Sequence, residues 1–260
     1  MRLSLSLLVV VALVAAAPGA ARAPRLLAWP TSVEVQRDGS LLVVENGTQR
    51  VLQIAPATGR VRVVARGFSK AIAAVRTPAG DLLVSDDLAL RRIARNGART
   101  VVATAAAPIG PVAVAADGAV FFTAGAKLEE VADGTTRTLA ASLVEPHGVA
   151  VAGRVVLVSD TGHGNVLAVD RDTGATRIFA RVAEPRGIAV GPNGWVYVVA
   201  AAAKRVLRFT GSGARRGSVG PRFGDPYAVA VAPDGTVFVV DTAAVGTVVR
   251  IDRRGRAAPV

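Results

Sequence analysis

An internal repeat constrains this chain more than any other feature. Six times the sequence runs through an apolar segment related to Pro-x-Gly-(Ile/Val)-Ala-Val and a turn ending in Gly. Four to six apolar or β-branched residues follow, most often closed by an acid, then a loop and a second apolar run. The opening segment is clearest at residues 146–151 (PHGVAV), 185–190 (PRGIAV) and 226–231 (PYAVAV), and weaker at 30–35 (PTSVEV), 71–75 (AIAAV) and 110–114 (GPVAV). The turn glycines Gly39, Gly80, Gly118, Gly153, Gly194 and Gly235 are spaced by 41, 38, 35, 41 and 41 residues. Such a period means one supersecondary unit per repeat, which buries its apolar surface only by stacking on its neighbours. Six units leave no room for another domain.

Each unit reads as β. Asp38-Gly39, Asp117-Gly118, Asn193-Gly194 and Asp234-Gly235 lie between β-prone runs and signal tight hairpins in which both turn residues take positive φ. Second turns follow at Thr58-Gly59, Asn96-Gly97, Asp133-Gly134, Thr173-Gly174, Ser212-Gly213 and Arg254-Gly255, giving four strands per unit. Four-stranded sheets repeated radially predict an all-β fold, a six-bladed β-propeller of four-stranded antiparallel blades. To close the ring, residues 25–28 (RLLA) are expected to form the outer strand of the sixth blade. Residues 256–260 are the weaker competitor because Pro259 cannot donate to a ladder. The glycine-rich stretch 211–220 reads as a loop.

Ahead of the repeats, Arg2, the apolar run 3–17 and the small residues around Pro18 and Gly19 have the layout of a secretory signal peptide cleaved after Ala21. Residues 1–21 are therefore expected to be a leader, 22–260 a single propeller domain, and the product secreted or periplasmic. No later stretch approaches ~20 apolar residues, so no membrane span is expected in the mature chain. The absence of cysteine excludes disulfides and thiolate zinc sites. Only two histidines, His147 and His163, are present, too few for a three-histidine metal centre. A net charge of +12 would permit phosphate contacts, but export argues against nucleic acid as a partner.

The repeat PxG(I/V)AV, turn Gly, V(S/V)DT and (I/V)D resembles the NHL repeat, over the whole mature chain. That resemblance implies a six-bladed propeller serving as an interaction module, a sensor or, in some members, an enzyme. In such a propeller the start of each innermost strand and the loop after each second strand open on one face, the channel mouth. The lead-in residues there are read as Ser32, Ala73, Pro111, His147, Arg186 and Tyr227, and the second strands end in Glu45, Asp86, Asp160 and Asp241. The candidate ligand-binding set is His147, Arg186, Tyr227, Glu45, Asp160, Asp241 and, in the following loop, His163. The acids have a structural alternative, bonding backbone amides of nearby loops.

In blade number the chain is also similar to calcium-dependent gluconolactonase-type propellers, whose lead-ins carry Glu, Asn and Asp as oxygen ligands. Here those places read Ser32, His147, Arg186 and Tyr227, which supply no oxygen cage. A Ser159-Asp160-His163 triad lacks a nucleophile-elbow context. The expected function is therefore binding of a small anionic ligand or an envelope protein at the mouth rather than on the turn face, with no cofactor. Arg186 would supply charge, Tyr227 a flat contact and His147 a donor whose charge grows in acid. Arg186→Ala is expected to be near neutral for stability. The alternative is a gluconolactonase-like hydrolase or lyase using calcium or zinc at an atypical channel site. Because ladders and apolar runs recur in every blade, chelator treatment should leave circular dichroism and melting unchanged; a fall of more than about 10 °C in Tm would reveal a structural cation.

Overall fold

The computed structural model describes residues 26–243 and 246–260. The expected leader lies outside them. Blade one is β1 (Pro30–Val35), β2 (Leu41–Glu45), β3 (Arg50–Ala55) and β4 (Arg60–Arg66); blade two is β5 (Ala71–Arg76), β6 (Leu82–Asp86), β7 (Ala89–Ile93) and β8 (Arg99–Thr104). Blade three is β9 (Ile109–Val114), β10 (Val120–Ala124), β11 (Lys127–Ala132) and β12 (Thr135–Ala140); blade four is β13 (Pro146–Ala152), β14 (Val155–Asp160), β15 (Asn165–Asp170) and β16 (Thr176–Arg181). Blade five is β17 (Pro185–Val190), β18 (Val196–Ala200), β19 (Arg205–Phe209) and β20 (Arg215–Val219); blade six is β21 (Pro226–Val231), β22 (Val237–Asp241), β23 (Thr247–Ile251) and β24 (Ala257–Pro259). Every blade is an antiparallel meander in chain order, so the fold is the expected six-bladed propeller.

Burial explains the sequence pattern. The second strands are apolar along almost their whole length because each blade is covered on both faces by its neighbours. There is accordingly no single core. Six apolar clusters fill six seams, as where Phe121 packs toward blade four while its neighbour Phe122 packs toward blade two. Outer strands are exposed, as in β20.

Three local expectations are corrected. The hairpin loops between first and second strands put only glycine at positive φ: Gly39, Gly118, Gly194 and Gly235 do so, whereas Asp38, Asp117, Asn193 and Asp234 do not. The loops are i to i+3 turns, such as Gly39 N–H to Gln36 O at 2.9 Å. The Asp or Asn side chain accepts the N–H two residues on, as Asp38 does from Ser40 at 2.9 Å. The stretch 211–220 is not all loop, since Arg215–Val219 forms β20. Closure is also reversed: the C-terminal residues pair with β23 through Val249–Pro259 and Ile251–Ala257. Pro259 is tolerated there because β24 is an edge. Among the described residues the N-terminal segment makes a single β-bridge, Leu27 to Gly246, with Leu27 buried between blades six and one.

Glycine in the inner strands serves close backbone approach. A Cβ on Gly148 would lie 2.4 Å from the carbonyl oxygen of Arg186. Gly148→Ala should therefore cost about 1–3 kcal/mol, read as a lowered urea midpoint. Leu27→Ala should cost about 2–4 kcal/mol through the cavity left between blades six and one. Deleting 257–260 should also lower the midpoint, by less than Leu27→Ala because β24 is exposed; an unchanged midpoint would contradict the observed closure through β24.

Candidate ligand site at the channel mouth

The inner strands enclose a channel of about 480 Å³ whose walls are mostly Val, Ala and Ile. Pairing sets the register at its mouth. Pro30, Ala71, Ile109, Pro146, Pro185 and Pro226 face Glu45, Asp86, Ala124, Asp160, Ala200 and Asp241 respectively. The residues level with His147 are therefore Thr31, Ile72, Gly110, Arg186 and Tyr227. Ser32, Ala73 and Pro111 lie one residue deeper, level with Gly148. The sequence reading slipped by one in the first three blades, where the opening segment matches the repeat least well.

The strand-end acids tie down the lead-in loops of their own blades. Asp86 accepts the N–H groups of Ser69 and Lys70 at 2.7 and 2.8 Å, and Asp241 those of Asp225 and Gly224 at 2.7 and 2.9 Å. Asp160 accepts from Val144 at 2.8 Å, and Glu45 from Ala28 at 3.0 Å. Arg50 and Thr48 also donate to Glu45. Burial raises the Glu45 pKa, but the Thr48 hydroxyl, the Ala28 amide and Arg50 outweigh it and hold the carboxyl below its ordinary range. None of these four acids lines the channel. His163 is exposed and bonds Asp160 through Nδ1 at 2.8 Å. Ser159 points into the seam and donates to the Arg186 carbonyl, so the three residues form no triad. The structural alternative for the acids therefore describes their geometry.

His147, Arg186 and Tyr227 do come together. The His147 and Tyr227 rings meet edge to face at 5.9 Å, and both line the channel. The Arg186 guanidinium stands 5.5 Å from the Tyr227 ring centroid. His147 Nδ1 lies 2.8 Å from the Glu145 carbonyl and 3.0 Å from Thr161 Oγ1, whose own proton goes to the Pro185 carbonyl. Both partners accept, so Nδ1 carries the hydrogen and Nε2 is left for the channel. Arg186 Nη1 donates to Asp225 at 2.7 Å, and Thr242 donates to the same carboxylate at 2.7 Å. Burial pushes the Tyr227 phenol above its ordinary range, with Arg186 opposing and Asp225 reinforcing, so it is a neutral donor at pH 7.

Sequence reasoning missed Asp225, although an acid before proline also occurs at Glu145 and Glu184. It also missed Glu34. This carboxylate lines the inner strand where four other blades have Ala and one has Val, a break in the repeat that could have marked it. Burial raises its pKa to about 7 from 4.5, against the Gln36 side-chain bond, the Arg76 amide and the Arg76 charge.

Because the folded state holds this proton more tightly than the unfolded chain, the contribution of Glu34 to stability is greatest below pH 4.5. That contribution is lost as pH rises through 7, about 3 kcal/mol in all. Glu34→Ala should remove that slope, measured as urea midpoints at pH 5 and 8. Asp86→Ala should cost about 1–3 kcal/mol by leaving two loop amides unpaired.

No protein-family profile and no curated protein matches the sequence. Solved structures do. A gluconolactonase from Xanthomonas campestris is similar at TM-score 0.74 and 19% identity, covering 86% of this chain and 87% of that one. Virginiamycin B lyase from Staphylococcus aureus is similar at 0.71 and 13%, covering 90% and 84%. The calcium-binding protein regucalcin from Agrobacterium tumefaciens is similar at 0.71 and 17%, covering 83% of each chain. These likenesses are of fold. The donor set here does not fit a hard-cation cage, because the mouth acids accept loop amides and, among the described residues, no three His, Asp or Glu groups converge.

Proposed function

We propose that this chain is an exported binding module whose channel mouth takes a small anionic ligand or an acidic side chain of an envelope protein. The leader-like N terminus and the likeness of the repeat to NHL units support this reading. One observation carries it: Arg186 is held on one edge by Asp225 and across its face by Tyr227, while its Nε and Nη2 donors make no hydrogen bond among the described residues. A guanidinium oriented in this way is ready for paired bonds to a carboxylate or phosphate. His147 Nε2 and the Tyr227 hydroxyl add two polar groups to a channel walled mostly by Val, Ala and Ile, the composition usual for small-molecule sites.

A second reading, a lactone hydrolase or lyase, is favoured by the tautomer of His147, which leaves Nε2 unprotonated and available as a base. The likeness to gluconolactonase and streptogramin-type lyase structures agrees with that reading only at the level of fold. Turnover of a lactone panel that vanishes in His147→Ala would establish it.

Arg186→Ala should weaken an anionic ligand at the mouth ten-fold or more, since a hydrogen bond to a charged group contributes about 1.5–3 kcal/mol. Tyr227→Ala should also weaken it, and Asp133→Asn on the opposite face should not. The reverse ranking, read by calorimetric titration, would place the site elsewhere. Arg186→Ala should in addition cost up to about 1 kcal/mol of stability, because it removes the ion pair to a half-exposed Asp225 that keeps its Thr242 bond.

A further inference from the structure

A second cavity, also of about 480 Å³, opens on the turn face at the seam between blades one and two. Two breaks in the repeat face each other there. Glu34 stands where the other blades carry Val75, Ala113, Ala150, Ala189 and Ala230; Arg76 stands where they carry Val35, Val114, Val151, Val190 and Val231. Five blades close these positions with apolar side chains, so the fold does not require ionisable groups at either.

The two do not neutralise each other. Glu34 accepts from Gln36 Nε2 at 2.6 Å and from the Arg76 backbone N–H at 3.1 Å, while the Arg76 guanidinium donates to the Gly80 carbonyl at 3.0 Å. Three more guanidinium groups line the cavity. Arg62 donates to Gln53, Arg95 lies over Gly80 in space that a Cβ would fill, and Arg37 is exposed with no acceptor among the described residues. The other carboxylate in the cavity, Asp38, accepts from Ser40 and Gln53. Four cationic groups thus face two carboxylates that already have hydrogen-bond donors.

We infer that this seam cavity is a second binding site, for a small tetrahedral oxyanion such as sulfate, phosphate or a phosphate monoester, clamped by Arg37, Arg62, Arg76 and Arg95. Guanidinium groups from the first hairpin, β4, β5 and the turn after β7 line this one cavity, and planar guanidiniums suit such an anion, which accepts paired bonds at several oxygens. Glu34 forms the inner wall of the site. The charged groups around it are Arg37 and Asp38 from its own hairpin, Arg62 from β4, Arg76 from β5 and Arg95 from the turn after β7. An ionised Glu34 opposes the anion and a protonated one can donate to it, so binding strengthens as pH falls.

The test is calorimetric titration of sulfate into the full chain in chloride-free buffer at constant ionic strength, at pH 6 and 8. Sulfate keeps its charge over that range, so any pH effect belongs to the protein. Saturable one-to-one binding is expected, several-fold tighter at pH 6. Arg76→Val, which installs the residue of the other five blades, should weaken it at least ten-fold, and Glu34→Ala should abolish the pH effect. In the Arg186→Ala background, which removes the mouth as an anion site, one-to-one sulfate binding and its dependence on Arg76 should persist. Glycerol phosphate binding more tightly than inorganic phosphate would assign the site to esters, and equal or weaker binding to the free ion. Unsaturable heats, parental affinity in both Arg76→Val and Arg62→Ala, or loss of binding in Arg186→Ala would overturn the proposal.

Discussion

Everything in this molecule depends on burying a β-sheet from both sides. A four-stranded blade has two apolar faces at its inner strands, and only another blade of matching twist covers each. The ring closes when the last blade meets the first. Leu27, Val33 and Leu41 then pack against Ala228, Phe238 and Val240. Stability is therefore distributed over six seams, and the inner backbones approach until glycine or a small residue is the only fit, as at Gly148 and Gly187.

The same stacking builds the mouth. Lead-in loops would be loose on the rim if nothing held them. In four blades a carboxylate at the end of the second strand takes their amides. In blades three and five, where Ala124 and Ala200 stand instead, backbone bonds serve: Gly125 N–H to Pro108 O at 3.3 Å and Ala201 N–H to Glu184 O at 3.0 Å. This anchoring fixes where His147, Arg186 and Tyr227 begin their strands. It also commits the acids to loop amides, and a carboxylate that satisfies such amides is poorly free to bind a cation.

In a repeat protein, function is most visible where one unit departs from the others. His147, Arg186 and Tyr227 are departures at one level of the ring, and Glu34 and Arg76 are departures at another. Both sets place polar groups where the architecture accepts apolar ones, at a cost in burial that the fold alone does not explain.

Blade number, strand number and the identity of the buried runs were legible in the sequence, because periodic turns and two-sided burial leave a local signature every 40 residues or so. The grouping of His147, Arg186 and Tyr227 was legible for the same reason, since equivalent places in successive repeats are neighbours in the ring. Tertiary structure decided the rest. Which terminus completes blade six was decided by pairing: RLLA and RAAPV look alike as strands, but β24 folds back on β23 six to ten residues away, whereas Leu27 bridges Gly246. The one-residue register in blades one to three was set by pairing across bulges near Pro30, Ala71 and Phe122. The duties of Glu45, Asp160 and Asp241 were set by amides about sixteen residues earlier. Asp225 and Glu34 acquired their environments only when neighbouring blades stacked, because burial and charge at a seam are properties of two repeats together and are written in neither alone.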